Sequence, residues 1–133
     1  MTKAEIFEKL KLLIVDVLGV RDDEIHMDSA LAGDLGAESI DLLDLSFLIE
    51  QKFGITLETY EIEEEAKHHI PGGEYEKDGY LTPEALEELK KIMPGVPPEK
   101  FRPGLRRTDV PGLLTVGVFV SLIQRKLNER QQR

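Results

Sequence analysis

The sequence predicts an all-α fold of four helices, interrupted at about residues 70–112 by an inserted helical, proline-rich segment. Two observations carry this. Apolar residues recur at helical spacing toward both ends of the chain, and all seven prolines, Pro71, Pro83, Pro94, Pro97, Pro98, Pro103 and Pro111, fall between residues 71 and 111. Proline removes a backbone donor and clashes with the preceding turn, so the outer parts can form long helices while the middle cannot be one continuous helix. A chain of 133 residues is long enough for one compact core and too short for two comfortable domains, so 1–133 reads as a single domain carrying the insertion.

The first helix begins at Thr2-Lys3-Ala4-Glu5, which has capping-box spacing. Ile6, Leu10, Leu13, Ile14 and Val17 then form its core stripe until Gly19 stops it. Residues 19–38 read as a long loop. The second helix runs from Ser39 to about Lys52, and its apolar residues fall into two sets. At about 100° per residue, Leu42, Leu45 and Ile49 share one side while Ile40, Leu43 and Phe47 share nearly the opposite one. Asp41, Asp44 and Glu50 flank the second set. Either that strip faces a partner, or the insertion folds over it. A short third helix is expected around Glu61–Lys67, and the last carries Val116, Phe119, Val120, Ile123 and Leu127 as its stripe, with Arg125, Lys126 and Arg130 suiting its C-terminal end.

Within the insertion, Thr82-Pro83-Glu84 opens a helix whose apolar face is Ala85, Leu86, Leu89, Ile92 and Met93, ended by Pro94-Gly95. Upstream, Glu74–Leu81 imitates half of a calcium loop, but the twelfth position is Ala85 where a bidentate Glu is required, so calcium binding is not expected. His68-His69 reads as a surface pair without a third ligand. Lys100, Arg102, Arg106 and Arg107 form a basic cluster that is either ordinary surface charge or a partner for the acidic helix or a phosphate.

Composition excludes several functions. There is no cysteine, which removes disulfides, thiolate metal sites and Cys nucleophiles, so any thioester chemistry needs a thiol from a prosthetic group. A net charge of −9 disfavours nucleic acid and anionic membrane surfaces as partners and favours basic protein surfaces. No apolar run approaches a membrane span and no secretory signal opens the chain, so a cytoplasmic protein is expected. No Gly-x-Ser-x-Gly elbow is present, and His26, His68 and His69 lack any motif that would make one a serine's base.

Ser39 is the residue of greatest interest. It follows a glycine-containing loop and opens a helix, where unpaired N–H groups and a partial positive charge favour a phosphate ester. Its simpler role would be that of an N-cap. The stretch Asp34-Leu35-Gly36-Ala37-Glu38-Ser39-Ile40-Asp41, followed by a Leu-rich acidic helix, resembles the phosphopantetheine attachment site of acyl carrier proteins. Phe53-Gly54-Ile55-Thr56-Leu57 resembles the segment closing that family's second helix, and Thr115-Val116-Gly117 the opening of its last. The similarity covers roughly residues 1–66 and 113–130.

The resemblance implies an acyl-carrier-protein-like four-helix bundle, a monomer with no catalytic activity of its own. A phosphopantetheinyl transferase would move 4′-phosphopantetheine from coenzyme A to Ser39. The arm's thiol would hold acyl groups as thioesters for acyl-ACP synthase, ketosynthase or acyltransferase enzymes with basic docking surfaces. Docking is implied for Asp34, Glu38, Ile40, Asp41, Leu43, Asp44, Phe47, Glu50 and Leu57. The insertion, and Glu58 where many carriers have Pro, point to a specialised fatty-acid, lipid or polyketide pathway. The alternatives are an aminoacyl or peptidyl carrier, against which Ala37 counts, and an unmodified interaction module.

Overall fold

The computed structural model describes residues 1–57, 61–70, 72–93 and 95–131, which form five α-helices, one two-stranded hairpin and three short 3-10 turns. Glu58, Pro71 and Pro94 lie outside the described residues, as does the side chain of Arg130. Helix α1 (Lys3–Leu18) starts as expected: the Thr2 hydroxyl accepts from the Glu5 N–H and the Glu5 carboxylate accepts from the Thr2 N–H, both at 3.1 Å. Gly19 ends it in the left-handed conformation, φ 69°, which a glycine adopts without steric cost. Helix α2 (Ser39–Phe53) ends the same way at Gly54.

Helix α1 packs against α2 and against the last helix, α5 (Val116–Gln131). Between them lie Ile6, Leu10, Ile14, Leu45, Ile49, Phe53, Val116, Phe119, Val120 and Ile123, all buried. Leu13, Val17, Leu42 and Leu127, expected in the same stripes, are only partly buried at its margin. The loop of residues 19–38 has more structure than expected. It contains a 3-10 turn at Asp22–Glu24 and is tied to the start of α5, where the Val116 and Gly117 N–H groups donate to the Ser29 and Met27 carbonyls at 3.0 and 2.7 Å.

This tie explains Gly117. A Cβ added there would lie 2.9 Å from the Met27 carbonyl oxygen, closer than van der Waals contact allows. Gly117→Ala is therefore expected to destabilise the fold by about 1–3 kcal/mol, as overpacking does, despite alanine's better helix propensity. Urea unfolding measures this, and an unchanged midpoint would show that the loop yields freely.

The middle of the chain builds a second apolar cluster. Helix α3 (Glu61–His68) packs on α4 (Pro83–Ile92), and Ala66, Ile70, Tyr75, Leu81, Leu86, Leu89, Met93, Phe101 and Val110 are buried around them. Helix α4 opens as read: the Thr82 hydroxyl accepts from the Ala85 N–H at 3.2 Å and Pro83 occupies the first turn. Val118 of α5 belongs to this cluster while its neighbours Val116 and Phe119 belong to the first, so α5 is buried on two sides.

The described residues are mainly helical, in keeping with the all-α expectation, with one short exception. The all-α reading missed the antiparallel hairpin of β1 (Glu76–Lys77) and β2 (Tyr80–Leu81). Its two-residue turn, Asp78-Gly79, has φ of 56° and 87°, the positive values that a tight hairpin demands and that an Asp-Gly pair accommodates. Helix α3, which precedes residues 71–111, packs on α4 within that interval, and its Glu61 and Glu65 pair with Lys126 and Arg125 of α5.

Candidate functional site

Ser39 is the first residue of α2, and Glu38 occupies the N-cap position ahead of it. The simple capping role for Ser39 is thereby corrected. The Asp41 carboxylate accepts from the Glu38 N–H at 2.9 Å, which secures the helix start from the other side. The Ser39 side chain is exposed beside the first-turn amides of α2, which have no intrahelical acceptor. Gly36, with φ 75°, turns the preceding loop so that the serine stands clear.

The two apolar faces of α2 separate cleanly. Leu45 and Ile49 are buried, whereas Ile40, Leu43 and Phe47 are 64%, 60% and 61% exposed. The middle segment therefore does not cover the outer strip. A shallow groove of about 350 Å³ runs along it, lined by Leu43, Asp44, Ser46, Phe47, Glu50 and Leu57. Leu57 itself is only 6% exposed. The reading of Leu57 as a surface docking residue is corrected accordingly: it packs into the core and offers the groove only its floor.

The acidic residues divide into two populations that sequence alone could not distinguish. On α3, Glu61 pairs with Lys126 at 2.9 Å, Glu63 with Arg107 at 3.2 Å, Glu64 with Lys67 at 3.6 Å, and Glu65 with Arg125. This acidic run is neutralised within the molecule. Around Ser39, by contrast, no ion pair among the described residues engages Asp34, Glu38, Asp41, Asp44 or Glu50. Asp34 accepts from the Ala30 N–H at 2.8 Å, bracing the loop. Glu38 and Asp44 are exposed, and Asp41 and Glu50 partly so.

Two members of the basic cluster are engaged within the molecule, while Lys100 and Arg102 are exposed. Arg107 is held by Glu63, whose hydrogen bond raises the guanidinium's pKa, and Arg106 stacks over the Tyr80 ring at 5.3 Å. Nearby, burial pushes the Tyr75 phenol up, and the Glu63 carboxylate adds to this. His69 directs Nδ1 at the Glu65 carbonyl oxygen, 2.9 Å away. Among the described residues no cluster of three potential metal ligands is present.

Sequence reasoning missed a second groove, of about 280 Å³, that opens beside Ser39. Leu42, Leu43 and Ser46 of α2 line it, with Phe119 and Leu122 of α5, Leu57, Ile62, Pro111 and Leu114. Part of it was legible, since positions 39, 42, 43 and 46 lie along the seam between the two apolar sides of the helix. The contributions of α3, α5 and residues 111–114 were not. The start of α2 thus brings free backbone N–H groups, an exposed hydroxyl and an apolar groove together at one point.

These features define a carrier domain, a fold that displays a group for other proteins to work on. Residues 8–67 match the family model described as "Phosphopantetheine attachment site". The chain is 48% identical over 63 residues to the acyl carrier protein of Petrotoga mobilis, covering 47% of this chain and 74% of that one. It is 39% identical over 59 residues to that of Campylobacter hominis, covering 44% and 75%, and 37% identical over 62 residues to that of Thermotoga maritima, covering 47% and 76%. The chain belongs to the acyl carrier protein family. Its cofactor is accordingly 4′-phosphopantetheine, covalently attached. No described helix is long and apolar enough to cross a membrane.

Proposed function

We propose that Ser39 is the attachment point of the 4′-phosphopantetheine arm, and that the protein carries acyl groups to partner enzymes without catalysing their reactions. The observation that carries this reading is the position of Ser39: exposed at the start of α2, inside the family match, at the mouth of an apolar groove. When bound, the arm supplies a terminal thiol that forms the thioester with the cargo. The chain's own part is to orient and to shield. First-turn amides of α2 receive the phosphodiester, and Leu42, Phe119 and Leu122 offer the acyl chain a surface away from water.

Docking falls to the outer strip. Ile40, Leu43 and Phe47 supply apolar contact, and Glu38, Asp41, Asp44 and Glu50, free of internal ion pairs among the described residues, steer a basic partner surface. Those partners are a phosphopantetheinyl transferase and acyl-ACP synthase, ketosynthase or acyltransferase enzymes. A cytoplasmic monomer in a specialised fatty-acid, lipid or polyketide pathway fits the acidic, cysteine-free chain. Residues 70–112 are an insertion into this single carrier domain, a reading supported by the family match stopping at 67 and by the second apolar cluster drawing most of its buried residues, Ile70 to Val110, from that interval.

Incubation with coenzyme A and a broad-specificity phosphopantetheinyl transferase tests the reading. One prosthetic group should be added, and peptide mass spectrometry should locate it on Ser39. Failure with several transferases would favour an unmodified interaction module.

A further inference from the structure

We propose that Arg107, Arg125 and Lys126 are specificity-determining residues: by neutralising the acids of α3 they confine the docking of basic partner enzymes to α2. This rests on the reading of α2 as the docking surface. Helix α3 lies next to the outer strip of α2, since its Ile62 lines the same groove as Leu43 and Ser46. It carries Glu61, Glu63, Glu64 and Glu65, against Asp41, Asp44 and Glu50 on α2. By acid content alone, α3 would attract a basic surface at least as strongly as α2 does.

Folding removes that competition. Glu64 meets Lys67 of its own helix, but the other three acids are met from elsewhere in the chain: Glu63 by Arg107 at 3.2 Å, Glu61 by Lys126 at 2.9 Å, and Glu65 by Arg125. Glu61 and Glu63 are also largely covered, with 13% of each side chain exposed. Opposite charges this close leave little field beyond the Debye length, about 8 Å at physiological salt. An approaching basic surface is therefore drawn to α2, whose acids form no ion pair among the described residues. Ion pairs near the surface contribute little to stability, so the main consequence of these three is what the molecule displays. Arg107 stands in the 3-10 turn Arg107–Leu113 of the middle segment, and through it that segment takes part in choosing the surface a partner can read.

The test measures kcat/KM for loading of the intact chain from coenzyme A by a phosphopantetheinyl transferase with a basic docking surface, at low salt and at about 1 M salt, where the Debye length falls to about 3 Å. Replacing Arg107, Arg125 and Lys126 together by Gln should raise kcat/KM about tenfold at low salt, and the gain should vanish at high salt. Replacing Lys3, Lys9 and Lys77 together by Gln removes the same charge from residues that form no ion pair among the described residues, and should raise it by a markedly smaller factor. Glu63→Gln should leave the parent's kcat/KM unchanged but cancel most of the gain that Arg107→Gln gives alone, because only the unmasked carboxylate steers. Should Arg107→Gln fail to fold, the same cycle with Lys126→Gln and Glu61→Gln decides the matter. A gain no larger than that of the Lys3, Lys9 and Lys77 variant, or one that persists at high salt, overturns the proposal. If Asp44→Lys leaves loading of the parent unchanged, the docking reading fails and this proposal with it.

Discussion

Ser39→Ala should abolish loading: a chain so altered, incubated with coenzyme A and a transferase, gains no mass where the parent gains one arm. The loss should be complete because the hydroxyl oxygen is the atom to which the phosphodiester would be joined, and no neighbouring residue can substitute. Ser46 also lines the groove, but it lies in the second turn of α2, remote from the free amides of the helix start. Stability gives the control. From sequence, removing Ser39 could have cost about 1 kcal/mol as a lost cap. With Glu38 at the cap position and Asp41 bonding back to it, the expected change falls within about 0.5 kcal/mol, as for other surface substitutions. Retained labelling of a folded Ser39→Ala chain would place the attachment site elsewhere.

The second large effect separates the faces of α2. Leu45, 2% exposed in the first core, should cost roughly 2–5 kcal/mol when truncated to alanine, from lost transfer energy and the cavity left behind. Leu43, on the opposite face and 60% exposed, should cost no more than about 0.5 kcal/mol while weakening a docked enzyme. Replacing the exposed Asp44 by Lys should act differently again, slowing association and flattening its salt dependence, because it removes steering and leaves packing alone. Denaturant unfolding and binding titrations against one cognate enzyme measure the two effects side by side. Comparable destabilisation at positions 43 and 45 would refute the two-faced reading.

The hairpin in the middle segment shows how a legible signal can be passed over. Asp78-Gly79 between short runs is a strong turn signal, yet the same stretch also carries the alternating oxygen-bearing residues of a calcium loop, so two local patterns overlap there and it is the hairpin that forms. Leu57 shows the opposite case. Nothing local marks it as buried, since its environment comes from α2, α3 and α5 together.

What the sequence determined by itself was the set of helices, their ends and the position of Ser39. Caps, proline exclusions and the 3.6-residue period act within a few residues, so Thr2, Gly19, Gly54 and Thr82 specify those boundaries locally. Only the tertiary structure decided which acids remain free for a partner, what α3 packs on, and that a groove adjoins the serine. Each of these depends on residues far apart in the chain: Glu63 meets Arg107 44 positions away, and Glu65 meets Arg125 60 positions away. A charge run on α3 and one on α2 look alike in sequence. Folding distinguishes them, because α3 lies where Arg107, Arg125 and Lys126 can reach it, whereas the acids of α2 form no ion pair among the described residues.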